Sequence, residues 1–282
     1  MTMNLVLQGP GATFAVLERL GALARPARMV KLGDSALRCE QLDYSAALKQ
    51  TIEAAAAAAQ LDATFIKSGR KLADFRLVAM DMDSTLITIE CIDEIADMQG
   101  LKPQVAEITE AAMRGELEFA ESLTRRVALL KGLDASALHR VYDERLAISM
   151  GGEAMLAGVK AAGLQTLLVS GGFSFFTERL QARLGLDHIH ANVLEIDGGK
   201  LTGRVVGGIV DAEVKMQTVQ RVCEQIGTTP RKAIVMGDGA NDLQMMGIAG
   251  LSLAFRAKPV VRAQADIALN YTGLDGLLTI LA

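Results

Sequence analysis

The chain begins with Asn4-Leu5-Val6-Leu7, an apolar run of strand length. Gly9-Pro10-Gly11 turns it into Thr13 to Ala24, where Phe14, Leu17, Leu20 and Leu23 recur at helical spacing. Two short extended segments follow, Arg28 to Lys31 and Ala36 to Gln41, joined through Gly33-Asp34. A long helix is predicted from Tyr44 through the alanine run Ala54 to Ala59, then a last strand from Ala63 to Ile66. The order βαββαβ closes a small antiparallel sheet under two helices, a ferredoxin-like arrangement of α+β type. The polar, basic stretch Lys67-Ser68-Gly69-Arg70-Lys71 suits a linker, so a first domain is expected over 1–70.

From Phe75 onward the pattern changes to short apolar runs followed by helices: Leu77 to Met80, Thr166 to Val169, Ala233 to Met236, Leu251 to Ala254 and Ile267 to Leu269. These read as buried strands of a parallel sheet, giving an α/β, Rossmann-like core over 71–282. No such run occurs between Glu90 and Met150. Four helical stretches there, near 92–99, 103–115, 118–131 and 135–146, predict a helical cap inserted at about 90–150. Asp197-Gly198-Gly199 predicts a hairpin, the one antiparallel feature of this half.

A length of 282 residues, half of them hydrophobic, accommodates two domains with buried cores. The net charge of −4 arises from 29 basic and 33 acidic residues of mixed order, which argues against the basic face that nucleic acid or an anionic membrane surface requires. A small-molecule partner is expected instead. Cys39, Cys91 and Cys223 are odd in number and lack metal-type spacing, so they read as buried reduced thiols of a cytoplasmic protein. No run approaches the roughly eighteen apolar residues that cross a bilayer, and Met1 to Pro10 lacks a basic leader with an apolar stretch; a soluble, non-exported protein is expected.

The candidate chemistry sits at the strand ends. Leu77 to Met80 runs into Asp81-Met82-Asp83-Ser84-Thr85, two carboxylates at the mouth of a buried strand, where open α/β sheets bind ligands. Ser170-Gly171-Gly172 follows Val169, Lys215 opens a helix, and Gly237-Asp238-Gly239-Ala240-Asn241-Asp242 follows Met236. All four clusters should meet in one crevice. Together they supply what phosphoryl transfer needs: a nucleophile, hard oxygen ligands for a divalent cation, and donors for phosphate oxygens. Asp81 is the candidate nucleophile, forming an acyl phosphate open to water. Asp83, two residues on, is the candidate general acid and then base. Asp81, Asp238 and the backbone carbonyl of Asp83 are candidate Mg2+ ligands, with Ser170, the Gly171 amide and Lys215 on the phosphate.

On these four motifs the chain resembles the haloacid dehalogenase superfamily. Over roughly residues 75–280 it resembles the phosphoserine phosphatase family within it, through Ile89-Glu90-Cys91-Ile92-Asp93-Glu94, Met113-Arg114-Gly115-Glu116-Leu117, Ser122-Leu123-Thr124-Arg125-Arg126-Val127, Ser170-Gly171-Gly172-Phe173 and Ala257-Lys258-Pro259. The resemblance implies Mg2+-dependent hydrolysis of O-phospho-L-serine to serine and phosphate, the last step of serine biosynthesis. It implies Glu90 near the substrate ammonium, Arg126 on the carboxylate, and Met113 and Phe119 as apolar walls. Gly172 and Asn241 are expected at the substrate, and Asp242 behind the metal ligands. The chain departs from the family in having Met150-Gly151-Gly152 where Pro-Gly is common, which leaves the stiffness of the cap's return hinge open. Its N-terminal element order is similar to ACT domains, which adds an amino-acid effector to the alternatives of a stabilising appendage or a homodimer-forming one.

Plainer readings exist for each residue taken singly. Glu90 is also placed to cap the first cap helix. Arg125 and Arg126, adjacent on a helix, point about 100° apart, so one of them belongs to solvent. His188 and His190 share a strand face but lack a third ligand and are assigned no role. The rival functions are a phosphatase or phosphotransferase acting on another small phosphomonoester, and a non-enzymatic amino-acid or phosphate sensor. The complete set of Asp81, Asp83, Lys215 and Asp238 argues against the sensor.

Overall fold

The computed structural model describes residues 2–114 and 116–282, the Met113 side chain excepted. Its first six elements are β1 (Met3–Gln8), α1 (Phe14–Leu23), β2 (Arg28–Lys31), β3 (Ala36–Leu42), α2 (Ala46–Ala58) and β4 (Asp62–Lys67). The strands lie antiparallel in the order β2-β3-β1-β4, the ferredoxin-like topology expected. α2 starts at Ser45, whose hydroxyl accepts the Leu48 amide at 3.1 Å and so satisfies one free helix-end donor.

The apolar run of β1 is continuous because both faces of this sheet are covered. Leu5 and Leu7 pack with Leu17, Leu20 and Ile52 beneath α1 and α2. Val6, pointing the other way, joins Ile66 in the core of the larger sheet. The segment expected as a linker is accordingly held in place. Arg70 donates to the Gly250 carbonyl and stacks over Phe75 at 5.0 Å, and the Leu72 amide donates to the Leu281 carbonyl at 3.1 Å.

The second sheet begins with β5 (Leu77–Met80), all four residues buried. Four helices follow, α3 (Cys91–Asp97), α4 (Lys102–Met113), α5 (Phe119–Leu129) and α6 (Ser136–Glu144), and then α7 (Gly152–Ala161). The chain continues through β6 (Gln165–Phe173), α8 (Ser174–Leu184), β7 (His188–Asp197), β8 (Lys200–Val206), α9 (Ala212–Gln225), β9 (Ala233–Gly237) and α10 (Leu243–Ile248). It ends with β10 (Leu251–Phe255), α11 (Pro259–Arg262), β11 (Ile267–Leu269) and α12 (Gly276–Ile280). The sheet order is β11-β10-β9-β5-β6-β7-β8, parallel except for the β7–β8 hairpin. β5 therefore has β6 on one side and β9 on the other. Connections leaving in opposite directions open a crevice at the carboxyl end of β5.

The helical insertion leaves and rejoins this core through two paired segments. Thr88 N–H donates to Ala147 O at 3.0 Å and Ser149 N–H to Leu86 O at 2.9 Å, around an Ile87–Ile148 bridge. The return ends at Gly151, where φ is +75° and an added Cβ would stand 2.0 Å from Asp275 Oδ1, so only glycine fits. The Leu274 amide holds the Met150 carbonyl at 2.8 Å. The missing proline is thus replaced by a braced glycine. Among the described residues no helix is long and apolar enough to cross a membrane.

Candidate active site

Immediately after β5 the backbone makes a wide turn, with Leu86 N–H donating to Asp81 O (3.3 Å) and Ile87 N–H to Met82 O (3.0 Å). This turn holds Asp81 and Asp83 at the crevice. It places Ser84 at φ +55°, a left-handed conformation that costs a non-glycine residue on the order of 1 kcal/mol. The Ser84 hydroxyl donates to Glu90 Oε1 at 2.6 Å, tying the turn to the first residue of the insertion.

Lys215 has no solvent exposure. Asp211 caps α9 by accepting the Val214 amide at 2.9 Å, which directs the helix's first turn, and Lys215 with it, inward. Lys215 Nζ lies 2.9 Å from Asp81 Oδ1 and 2.8 Å from Asp242 Oδ1. Burial alone would favour its neutral form, but Asp242 and Asp81 overcome this and raise its pKa. Burial, then Asp242, hold the Asp81 pKa well above the ordinary carboxylate value, with Lys215 opposing. Asp242 spends its other oxygen on the amides of Asp238 and Gly239, each at 3.1 Å, and so orients the loop. Asp238 accepts the Thr85 hydroxyl at 3.1 Å; burial, then Asp242, push its pKa up to about 6. Asp83 accepts the Cys91 amide on Oδ2 at 3.2 Å, while its Oδ1 is buried without a partner among the described residues. Burial, then Glu90, push the Asp83 pKa up to about 8.

Ser170, Gly171 and Gly172 have the composition of a turn but do not form one. They complete β6, whose pairing with β7 slips between Ser170 and Phe173, so a bulge aims them at the crevice. The Gly172 amide donates to Ser170 Oγ at 2.8 Å. A Cβ on Gly172 would come within 2.8 Å of the Met82 methyl and 3.2 Å of Asp83 Oδ2, so a side chain here would crowd the contact between strand and turn. Asn192, which no local motif marks out, grips the bulge. Its Nδ2 donates to Gly171 O and its Oδ1 accepts the Val210 amide, both at 2.8 Å.

A cavity of about 720 Å³ opens above these groups, between the strand ends and the insertion. Asp81, Asp83, Asp238, Asn241 and Ser170 to Gly172 line it from the core, and Glu90, Phe119 and Arg126 from the helices. The Phe119 ring lies against Gly171, close enough that an added Cβ there would approach it to 2.8 Å. Arg126 is half-buried; burial lowers its pKa, and Asp93 and then Glu90 oppose that shift. Arg125 points to solvent and pairs with Glu121 at 2.6 Å, which resolves the adjacent pair. Glu90 starts α3 but makes no capping bond with its side chain. Gly115 and the side chain of Met113 lie outside the described residues. Asp93, Ser122 and Lys258 also line the cavity; all three stand in the family-like segments, yet sequence alone gave them no task. His188 bonds Gln165 at 2.7 Å and lines no part of the cavity.

The donor set fits a hard divalent cation. Carboxylate oxygens of Asp81, Asp238 and Asp242 lie within 4.8 Å of one another. Asp242 is committed to Lys215 and two amides, which leaves Asp81 and Asp238 as donors. Several acids facing one buried lysine also leave an excess of negative charge that a cation would balance.

A parallel sheet with paired aspartates at its central strand end, a lysine–aspartate pair and a helical insertion defines a class of hydrolases. The family model for haloacid dehalogenase-like hydrolases matches residues 78–247, and the chain belongs to that family. A phosphoserine phosphatase of Polaromonas sp. strain JS666 is 56% identical over 213 residues, covering 74% of this chain and 90% of that protein. A haloacid dehalogenase family hydrolase from Salmonella enterica serovar Typhi superposes with a TM-score of 0.90 at 32% identity, covering 100% of this chain and 99% of that one. The structure of a phospho-aspartyl intermediate analogue of phosphoserine phosphatase superposes with a TM-score of 0.69 at 36% identity, over 74% and 99% of the two chains.

Proposed function

We propose that this chain is a Mg2+-dependent phosphatase that hydrolyses O-phospho-L-serine through a phosphoaspartate on Asp81. The observation that carries this is the meeting, in one cavity, of Asp81 and Asp83 with Glu90 and Arg126 of the insertion, two carboxylates at the strand end facing a pair of opposite charges suited to a zwitterion. The relatives named above support the substrate.

Asp81 engages Lys215 and the Met82 amide through Oδ1, leaving Oδ2 to attack phosphorus. As the new O–P bond forms, the bond from phosphorus to the serine oxygen breaks, and Asp83 delivers a proton to that oxygen. A pKa near 8 keeps Asp83 protonated at neutral pH, as a general acid must be. Asp83, now ionised, takes a proton from the water that attacks phosphorus, and the Asp81 O–P bond breaks to release phosphate. Lys215, Ser170 Oγ and the Gly171 amide hold the phosphate oxygens, with Gly172 and Asn241 beside them. Asp81, Asp238 and the Asp83 carbonyl would hold Mg2+, which neutralises charge on the transferring phosphate. Arg126 grips the carboxylate and Glu90 the ammonium, with Phe119 against the carbon between.

The chain divides near residue 70 into an ACT-like unit and a phosphatase core with a cap at about 90–150. Closure of the cap excludes water during transfer. Three buried free cysteines accord with a reducing cytoplasm. Phosphate release from phosphoserine, phosphothreonine and phosphoglycolate, with and without Mg2+, tests the whole. Phosphoserine should turn over in water only with the metal, and Asp81→Asn should abolish it. Full activity of Asp81→Asn would sink the mechanism; turnover of another ester with phosphoserine untouched would sink the substrate.

A further inference from the structure

Asp62 opens β4 in the N-terminal sheet and is only 2% exposed, although it has no cation partner among the described residues. Its carboxylate is satisfied by one short stretch of the distant core. Asn270 N–H donates to Oδ1 at 2.7 Å, and Tyr271 N–H (3.2 Å), Thr272 N–H (2.9 Å) and Thr272 Oγ1 (2.6 Å) donate to Oδ2. A carboxylate taking four such bonds fixes its donors closely, because none can find an equal partner elsewhere in the interior.

The stretch it fixes runs on into the hinge. Two residues after Thr272, the Leu274 amide holds the Met150 carbonyl, and Asp275 lies against Gly151. Met150 and Gly151 end the segment whose partner strand leads into the insertion, through the bonds of Thr88 and Ser149. Packing on the open side does not fix this loop. A cavity of about 250 Å³ lies there, lined by Gln8, Gly9 and Gly33 from the N-terminal sheet and by Met150, Gly273 and Asp275 from the core. Asp62 supplies most of the side-chain bonds to it, beside weaker ones from Tyr271 Oη to Ala57 O at 3.4 Å and from Gln8 Nε2 to Gly276 O at 3.2 Å, while Leu274 is buried in the core.

We propose that Asp62 is a positioning residue for catalysis: by clamping 270–272 it fixes the pivot on which the cap closes. The N-terminal unit then acts on the active site through the hinge without touching substrate. This rests on the phosphoserine reading for its kinetic part only. The Polaromonas relative aligns over 90% of its own length with just 74% of this chain, in keeping with a unit added to a complete catalytic core.

The test is Asp62→Asn, which retains the shape while replacing one acceptor oxygen with an NH2 group facing the donors. Backbone hydrogen exchange at Thr88, Ser149 and Leu274 should accelerate in the variant. KM for phosphoserine should rise roughly 3- to 10-fold with kcat within twofold, because closure brings Glu90 and Arg126 onto the head group. Thr272→Val, a milder change, should shift both in the same direction. Arg38→Ala serves as control, since it removes two other bonds across the junction, to Thr279 O at 3.4 Å and Ala282 O at 3.0 Å, without touching 270–275; it should change neither. Unchanged hinge exchange in Asp62→Asn, or an equal effect from Arg38→Ala, overturns the proposal. If the wild type ignores phosphoserine, the functional reading fails, while the exchange experiment still decides on the clamp. Should Asp62→Asn not fold, Thr272→Val decides in its place, and hinge exchange at the wild-type rate in that variant overturns the proposal.

Discussion

Replacing Lys215 by methionine puts the electrostatic account of the site at greatest risk. The ammonium lies 2.9 Å from Asp81 and 2.8 Å from Asp242, with all three groups buried. At an effective dielectric constant of about 20 each attraction is about 6 kcal/mol, but removing the ions from water offsets most of this. Deleting one member of such a set strands the others and costs about 3–5 kcal/mol, a large part of an ordinary domain's stability. Methionine fills similar space, so the loss is one of charge. The variant also lacks the cation paired to the proposed nucleophile Asp81, which on the proposed mechanism should lower kcat roughly 100- to 1000-fold. Urea unfolding near neutral pH, without metal, measures the first effect, and phosphate release measures the second. The pH dependence gives a further check. Asp81 has a native pKa above its unfolded value, through burial and then Asp242, and the variant loses the opposing lysine. A raised carboxyl favours the native state when protonated, so the deficit should shrink as the pH falls from neutrality toward roughly 4. A neutral-pH midpoint equal to wild type, or a deficit that deepens on acidification, would refute the reasoning.

Arg126→Ala should raise KM for phosphoserine roughly 10- to 100-fold and leave phosphoethanolamine, which lacks the carboxylate, unaffected; equal losses on both would remove the carboxylate assignment. Gly151→Ala combines a positive φ with a collision at Asp275 and should cost about 1–3 kcal/mol in thermal unfolding, an unchanged midpoint contradicting the braced-hinge description. Asn192→Ala strips both bonds from the Gly171 bulge and should weaken phosphate binding, read as inhibition by inorganic phosphate, with a stability loss of about 1–3 kcal/mol; unaltered inhibition would show that the bulge holds without it.

The strands and both sheets were legible because β5 and β9 are apolar runs of strand length, β10 is interrupted only by Ser252, and α1 repeats at helical spacing. Three of the chemical clusters were legible because each follows such a run at the edge of a predictable crevice, and Lys215 because it opens a helix. Asn192 and Asp62 were not. Each acts on backbone removed from it in sequence, and a polar residue, whether inside a strand like Asn192 or opening one like Asp62, carries no local mark of its partner. The bulge in β6 was missed for a related reason, since Ser-Gly-Gly has the composition of a turn and only pairing with β7 extends it as strand. Val6 had carried a hint that was not used: with Leu5 and Leu7 it breaks the alternation of a sheet exposed on one face, and both faces are indeed covered.

The paired segments at the base of the insertion bear on how such a protein changes over time. Because Thr88 and Ala147 are already hydrogen-bonded to each other, the core meets the same two chain ends however many residues lie between them. Lengthening a loop with closed ends costs only about 0.6 kcal/mol per doubling, so the insertion can grow cheaply beyond that pair, provided that the bonds of Gly132, Leu133 and Ala135 to the β7–β8 hairpin are kept. Arg126 of the insertion and Asp81 of the core thus stand on opposite sides of one ladder, open to inheritance as separate parts.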